Sequence, residues 1–494
     1  MKIKTFIAVI IFMCSIRPVF ADVKEYIDSY ALYFENKSYK VISDGLKGEK
    51  PLLEADKHKV LDEELEKELE TKFIYVDLAE CIKLALEGNY DIKISDMDVL
   101  SYFWLHKNSA AGILPSVYYN FNISNLSGQY LIGGILAARE HEIPIQSFFN
   151  IEWGTVNQGK YFFYLAAARN MLKAAQHTLE YTKDEIILNT VNAYYGLLSS
   201  KMQIEVQKIN LYDRIEQLKF TQARFESGIG TYYDVKRAQA EAARAQQEYT
   251  DVINTLRLRQ AELANIIGID VFASVYPFEI SVDSRELVRN DFSMEKLYNQ
   301  ALESREDIKA KEAEVNLYRA NRSMNYTDIL PAVNISYKNG HVGTKDAGLS
   351  QSNTLNLDVR LYLGNNMLAG TITKLKSDAA RVKQKKLELE NLKRTVKENI
   401  VNSYYDSLNA KKKIEASKVE VSAADVSLDL SLINMKAGEA TFIDVIASQN
   451  LKVQAELNLI KNMIEYNKAQ AQLLFDIGIL SPKNLLIDYK KRFY

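Results

Sequence analysis

Two rhythms of apolar and polar positions divide this chain, and the first is strict alternation. Leu355, Leu357, Val359, Leu361 and Leu363 alternate with Thr354, Asn356, Asp358, Arg360 and Tyr362, which places every aliphatic group on one face of a strand. After Pro331 a partner run sets Val333, Ile335 and Tyr337 against Asn334, Ser336 and Lys338. Val117, Tyr119, Phe121 and Ile123 repeat the pattern against Ser116, Tyr118, Asn120 and Asn122, and Ile145, Phe149, Ile151 and Trp153 supply a fourth strand. The second rhythm belongs to long helices. Val235, Ala238, Ala242, Ala245, Tyr249, Val252, Leu256 and Leu263 follow the three-four spacing of a coiled coil. Ile446, Val453, Leu457, Ile460, Ile464, Ala471 and Leu474 keep a similar beat, with Asn450 and Asn467 as polar interruptions. No proline falls between Pro144 and Pro277 or between Pro331 and Pro482, so neither interval carries the residue that costs ~3 kcal/mol inside a helix. Gly364 to Met435 leaves room for about 70 helical residues, a rod of roughly 100 Å.

The chain is also built twice. Ala85-Leu-Glu-Gly-Asn-Tyr-Asp-Ile-Lys93 returns as Ala301-Leu-Glu-Ser-Arg-Glu-Asp-Ile-Lys309, six of nine positions being identical at an offset of 216. Leu114-Pro115 recurs as Leu330-Pro331. Asn189-Thr-Val-Asn-Ala-Tyr-Tyr195 matches Asn399-Ile-Val-Asn-Ser-Tyr-Tyr405 at an offset of 210, and Ile267-Gly-Ile269 matches Ile477-Gly-Ile479. A length of 494 residues suggests about three domains on size alone, but the duplication replaces that count with two units. The fall in offset places a six-residue length difference between Pro115 and Asn189, where a loop is expected.

Each rod breaks once, at Gly228 and at Gly438. Glycine suits the left-handed position after a helix end, and Thr231 with Asp234, like Thr441 with Asp444, forms a variant capping box for the returning helix. Helix-capping alone accounts for Thr and Asp at this spacing. The expected product is a long helical hairpin with a tight tip in each copy.

Composition narrows the function. Lys+Arg 62 against Asp+Glu 64 leaves a net charge of -2, so nothing points to nucleic acid. With 47% hydrophobic and 26% charged residues, 7 Pro and 20 Gly, the chain is neither disordered nor collagen-like. Five scattered His, two Cys, and the lack of a Walker loop or Gly-x-Gly-x-x-Gly argue against a metal centre, a disulfide framework or a nucleotide site. No catalytic, cofactor-binding or metal-binding residue is assigned, and the chain is read as a non-enzyme whose transport energy comes from a partner. Lys2 and Lys4 ahead of the apolar run Phe6 to Met13, with Val19-Phe20-Ala21 behind it, read as a signal peptide. Cys81 is then the one thiol left, in an apolar-periodic stretch that favours a buried spectator.

Beyond the signal, no apolar run reaches the ~18 residues of a spanning helix, so membrane entry requires strands. Strands of about ten residues with one apolar face suit an outer-membrane barrel, and the 30 Tyr suit its girdles. Four strands per chain cannot close a barrel, and open edges in lipid cost several kcal/mol per unpaired group. Three chains would supply twelve strands around an aqueous lumen.

The duplication, the Ala-Leu start of each copy, Leu-Pro before the first strand, the Gly-x-x-Thr-x-x-Asp-Val tips and the closing Ile-Gly together resemble the TolC-like outer-membrane efflux protein family over Tyr75 to Ile479. The resemblance implies a mainly α protein with a β-barrel part. Long coiled-coil hairpins would form an α-barrel, and four strands per chain would complete a twelve-stranded transmembrane barrel in a homotrimer. It implies an outer-membrane channel of a tripartite efflux or type I secretion system. A periplasmic adaptor and an inner-membrane transporter would dock at the tips, with outer-membrane lipid around the barrel and the tunnel crossing the periplasm. In the archetype, aspartates ring the closed end. Asp444 takes the first such position, whereas the second falls at Ala447, and the arginine and tyrosine of the archetype's latch are replaced by Ala440 and Met435. Asp444 is therefore expected to supply a negative ring near the aperture, with Asp234 mainly a cap.

The expected division is a signal peptide at 1–21, a charged extension at 22–72, a first repeat at 73–280, a second at 281–480 and a tail at 481–494. The strand pairs fall at about 115–154 and 331–364, and the tips at 228–234 and 438–444. His141 and Glu142 are expected in an outer loop. The alternative is a periplasmic coiled-coil scaffold that never inserts, which has no reason to expose five aliphatic groups on one strand face.

Overall fold

The structure, a computed structural model, describes residues 73–486 apart from 125, 133–134, 155–158, 229, 280–283, 285, 289–292, 346, 362–368 and 438. For residues 73, 126–132, 135–142, 436, 442 and 486 its description stops at the backbone. The expected signal peptide, the charged extension and most of the tail lie outside the described residues.

The first half runs β1 (Phe73–Val76), α1 (Leu78–Gly88), α2 (Tyr90–Ala111), β2 (Ser116–Ile123), β3 (Leu126–Ile132), β4 (Ile135–Glu142), β5 (Pro144–Trp153), α3 (Lys160–Glu226) and α4 (Tyr232–Ile267). The second runs β6 (Ser274–Pro277), α5 (Met294–Ser304), α6 (Glu306–Tyr326), β7 (Ala332–Thr344), β8 (Gly348–Arg360), α7 (Ala369–Ala437), α8 (Phe442–Ile477) and α9 (Pro482–Leu486). The two rods α3 and α7 hold 67 and 69 residues, each roughly 100 Å long at 1.5 Å per residue. Down their lower halves they pack against the returning helices α4 and α8, and higher up against α2 and α6. The coiled-coil rhythm is what seats them. Ala238, Ala242, Ala245, Leu256 and Leu263 of α4 are buried, as are Ile446, Ile460, Ile464, Ala471 and Leu474 of α8.

β2, β5, β7 and β8 form one antiparallel sheet in that order, so the two copies join at β5–β7. Two features depart from the sequence reading. The connection between β2 and β5, which carries the extra length of the first copy, is a hairpin of its own in which β3 pairs with β4. His141 and Glu142 therefore lie in strand β4 rather than in a loop. Leu126 to Ile132 and Ile135 to Glu142 flank Gly133-Gly134, a two-residue hairpin signal present in the sequence. The second departure is a short parallel pair, β1–β6, which ties the start of the first repeat to its end.

The main core sits midway along the rods, where α1, α5, β1 and β6 lean on them. Ile82, Tyr194, Leu197, Leu263, Ile308, Ile400 and Leu473 are all nearly or wholly buried there, each such side chain worth about 1.5–3 kcal/mol of transfer free energy. Cys81 is fully buried in the same cluster, and burial, followed by the charges of Asp77 and Glu80, pushes its thiol pKa up and keeps it unreactive.

This core explains the repeated sequence blocks. In each copy the corner between the two short helices abuts the end of the returning helix. Asn89 Nδ2 donates to the Ile266 carbonyl (3.0 Å), and Arg305, its counterpart, donates from Nη1 to the Asp476 carbonyl (3.0 Å). Glycine closes both joints. Gly268 has φ +75°, and a Cβ there would lie 2.7 Å from the Gly88 carbonyl carbon. Gly228 at the tip has φ +76° with nothing within 4 Å. Both carry the left-handed cost of about 1–2 kcal/mol when replaced by alanine, but only Gly268→Ala adds a backbone clash. We expect G268A to lower the unfolding temperature by several degrees more than G228A. Equal shifts in a thermal melt would refute the close-packed joint.

Candidate functional site

Residues paired directly across antiparallel strands share a face, so the register shows what each side of the sheet carries. Val117, Ile151, Tyr337 and Leu355 form one row, and Trp153, Ile335 and Leu357 the next. Leu355, Leu357 and Val359 of the edge strand leave more than half of their surface open, as do Val117, Tyr119, Phe121 and Ile123 of the opposite edge. The other face is polar, with Asn150, Lys338 and Thr354 in one row. There Tyr118 Oη donates to Glu152 Oε1 (2.6 Å).

The apolar run is centred near residue 120 on β2 and near residue 358 on β8, whereas the register sets Asn120 level with Ser352. It therefore slips by about two residues per strand step, and at ~3.3 Å rise and ~4.8 Å spacing the strands must tilt by about 54° to level it. Such a tilt is steeper than the ~35–45° typical of membrane barrels. Among the described residues, the outer edges of β2 and β8 have no partner strand. Among the described residues no helix is long and apolar enough to cross a membrane.

At the far end of the rods lie the tips. The α3 helix stops where the Gly228 amide donates to the Phe225 carbonyl (2.9 Å) and the Ser227 amide to the Ala223 carbonyl (3.0 Å). Thr231 then starts α4. Its Oγ1 accepts from the Asp234 amide (3.2 Å), and its own amide and hydroxyl donate to Asp234 Oδ2 at 3.3 and 2.7 Å. In the second tip Thr441 and Asp444 make the same three bonds, at 3.4, 2.8 and 2.6 Å. Asp444 is exposed, and the Thr441 hydroxyl and amide hold its carboxyl below the usual carboxylate range. Gly438 lies outside the described residues. Among the described residues, the hydrogen bonds of each aspartate stay within its own tip.

Because the folded pKa of Asp444 is lowered, its stabilising bond is fully present above the ordinary carboxylate pKa and is lost as pH falls through the lowered value. The wild-type tip should therefore keep its amide protection at pH 5. Removing the hydroxyl with Thr441→Ala should speed hydrogen exchange at residues 443–446 about five-fold, the usual scale of a lost cap. Unchanged exchange would mean that the box does not hold the tip.

Above the tips the two hairpins meet along α3 and α8 through a polar seam absent from the sequence reading. Arg214 is buried and donates from Nη2 to Asn450 Oδ1 (2.6 Å), Gln217 donates to Gln449, and Gln449 Nε2 donates to Asp213 Oδ2 (2.9 Å). Asn450 had already stood out as a polar break in an apolar beat. The contact between copies of the repeat is thus made by polar side chains, whereas alanines pack within the first hairpin.

A third surface is unfilled. Ala416, Val419, Ala423, Val426, Leu430, Ile433 and Ala437 follow three-four spacing along α7, and Val419, Val426, Leu430 and Ile433 are each more than half exposed. The seam that α7 presents to α8 lies elsewhere on the helix, at Ile414, Ser417, Ala424 and Ser431. A second heptad seam on one helix, facing outward, is a coiled-coil surface without its helix.

A sheet with one lipid-compatible face and two open edges, standing on helical hairpins of roughly 100 Å, defines the class of outer-membrane channel proteins built from an α-tunnel and a β-barrel. The comparisons agree. The model of the outer membrane efflux protein family matches residues 159–269 and 297–478, more than half of the chain, and the chain belongs to that family. It is 23% identical over 308 residues to the alkaline protease secretion protein AprF of Pseudomonas aeruginosa, covering 61% of this chain and 63% of AprF, less than two thirds of that relative. It is 21% identical over 324 residues to the outer membrane efflux protein BepC of Brucella suis, covering 65% of this chain and 69% of BepC. The crystal structure of the CmeC outer membrane channel of Campylobacter jejuni superposes with a TM-score of 0.73 at 14% identity, covering 81% of this chain and 85% of that one. At that identity the likeness speaks for the fold.

Proposed function

We propose that three copies of this chain assemble into a passive duct that carries solutes or polypeptides across the periplasm and the outer membrane. The observation that carries this reading is the four-stranded sheet with an apolar face and both edges open, which four strands cannot close alone. The outward heptad seam of α7 supports it, since a neighbouring copy would cover that seam as its strand covers β8. AprF is a secretion protein and BepC an efflux protein, so the duct reading extends to both drug-like and polypeptide cargo. The tips would meet a periplasmic adaptor, and an inner-membrane transporter would supply the energy. Asp444, exposed and ionised at the second tip, would stand three times around the axis as a negative ring, while Asp234 and the two threonines hold the tips in shape.

Assembly is tested by recovering the protein from an outer-membrane fraction as a heat-modifiable trimer. A folded monomer in detergent would overturn the reading, and so would recovery in the soluble periplasm, where a scaffold belongs. The ring is tested in single channels: Asp444→Asn should reduce cation selectivity and block by divalent cations several-fold, and unaltered selectivity would remove Asp444 from the aperture.

A further inference from the structure

Midway along the rods, two cationic side chains from different helices meet over a third. Gly196 of α3 has no side chain, and a Cβ placed there would lie 3.8 Å from Arg259 Nε of α4 and 3.9 Å from Lys468 Nζ of α8. Both cations line a cavity of about 330 Å³ whose wall also carries Asn189 and Asn192 of α3 and Glu262 and Asn265 of α4. Arg259 spends one N–H on Glu262, Nη1 to Oε2 at 2.5 Å. Lys468 makes no hydrogen bond or ion pair among the described residues. Burial, and after it the Arg259 charge, lowers its pKa. Asp91 lines the cavity too, so the pocket is not cationic throughout. Asp91 and Glu262 equal the two cations in number, but Lys468 is bonded to neither, and two cations this close are unfavourable unless an anion or water lies between them. The amides of Asn189, Asn192 and Asn265 add donors to that space.

At the offset of 210 that aligns Tyr195 with Tyr405, Gly196 corresponds to Asp406, so this place lacks the carboxylate that its counterpart carries. The two cations beside it come one from each repeat, and their own counterparts are Ala469 and Leu258.

We propose that the cavity is a binding site for a small oxyanion, a carboxylate or phosphate held between Lys468 Nζ and the free N–H groups of Arg259. The test uses the purified full-length protein in neutral detergent at low salt, titrated calorimetrically with inorganic phosphate and with citrate, chloride serving as the control. Saturable binding that weakens with ionic strength is expected. Lys468→Met should weaken it at least ten-fold. Gly196→Asp should abolish it by supplying the carboxylate from within, and the unfolding temperature of each variant checks that it is folded. Absence of saturable heat, or titrations that neither folded variant alters, would overturn the proposal. Neither result bears on assembly, which the trimer assay decides separately.

Discussion

Leu357→Arg is expected to remove most of the assembled, heat-modifiable protein from the outer-membrane fraction, while Asn356→Arg, one residue away, leaves it nearly intact. The two positions differ only in the face they occupy. Leu357 lies at the centre of the apolar run on β8, level with Ile335 and Trp153, and about two thirds of its surface is open in the single chain. Asn356 pairs with Ser336 on the polar side. An arginine near the middle of a membrane barrel's lipid face costs about 2–4 kcal/mol, and a lumen-facing one costs little. In a symmetric assembly the penalty is incurred once per chain, which is comparable to the whole stability of an ordinary domain. Equal yields of the two variants would show that this face does not meet lipid, and the slip of the apolar run along the sheet would then need another cause.

That contrast was legible in the sequence because strand alternation has a period of two and declares its face residue by residue. The coiled-coil beat was equally readable. Ala238, Ala242, Ala245 and Leu256 are buried as their spacing requires. What escaped had three physical causes. The β1–β6 pair is only four residues long on each side, too short for alternation to register, and parallel pairing leaves no turn signal between the partners. The β3–β4 hairpin did carry a signal, Gly133-Gly134 between two strand-like runs, but the surrounding stretch read as an outer loop. The polar seam at Arg214 and the cationic pair at Gly196 draw residues from helices more than two hundred positions apart in the chain, and periodicity along one helix says nothing about which charge a second helix will bring to it. The family resemblance located the tips, yet the bonds that hold Thr441 to Asp444 are local and follow from the capping spacing without it.

The same distance in sequence hides the most consequential ion cluster. Arg305 is buried at the corner between α5 and α6, where Nη2 pairs with Asp307 Oδ2 (2.7 Å) and Nη1 lies 3.8 Å from Asp476 Oδ1, itself 2% exposed. Burial raises the pKa of Asp476, with Ser403, Gln472 and Arg305 working against that rise. Nearby on α3, Asp184 is pushed up to about 7 by burial and by Glu180 and Glu306, again with Arg305 opposing. Arg305→Leu removes the shared cation, and stranding a buried carboxylate costs about 3–5 kcal/mol. A carboxyl whose folded pKa is raised contributes stability that is fully present below the ordinary carboxylate pKa and is lost as pH rises through the raised folded value. R305L removes the cation that opposes both rises, so both carboxyl pKa values climb further, and its deficit should grow as pH rises through them and shrink on acidification. A deficit independent of pH would mean that Arg305 acts by packing alone. The first repeat shows how the joint works without this arginine, since Asn89 and Ile266 occupy the positions of Arg305 and Asp476. Copying that pair, R305N with D476I, should restore part of the lost melting temperature and remove the share of the pH dependence that Asp476 carries, leaving the share carried by Asp184.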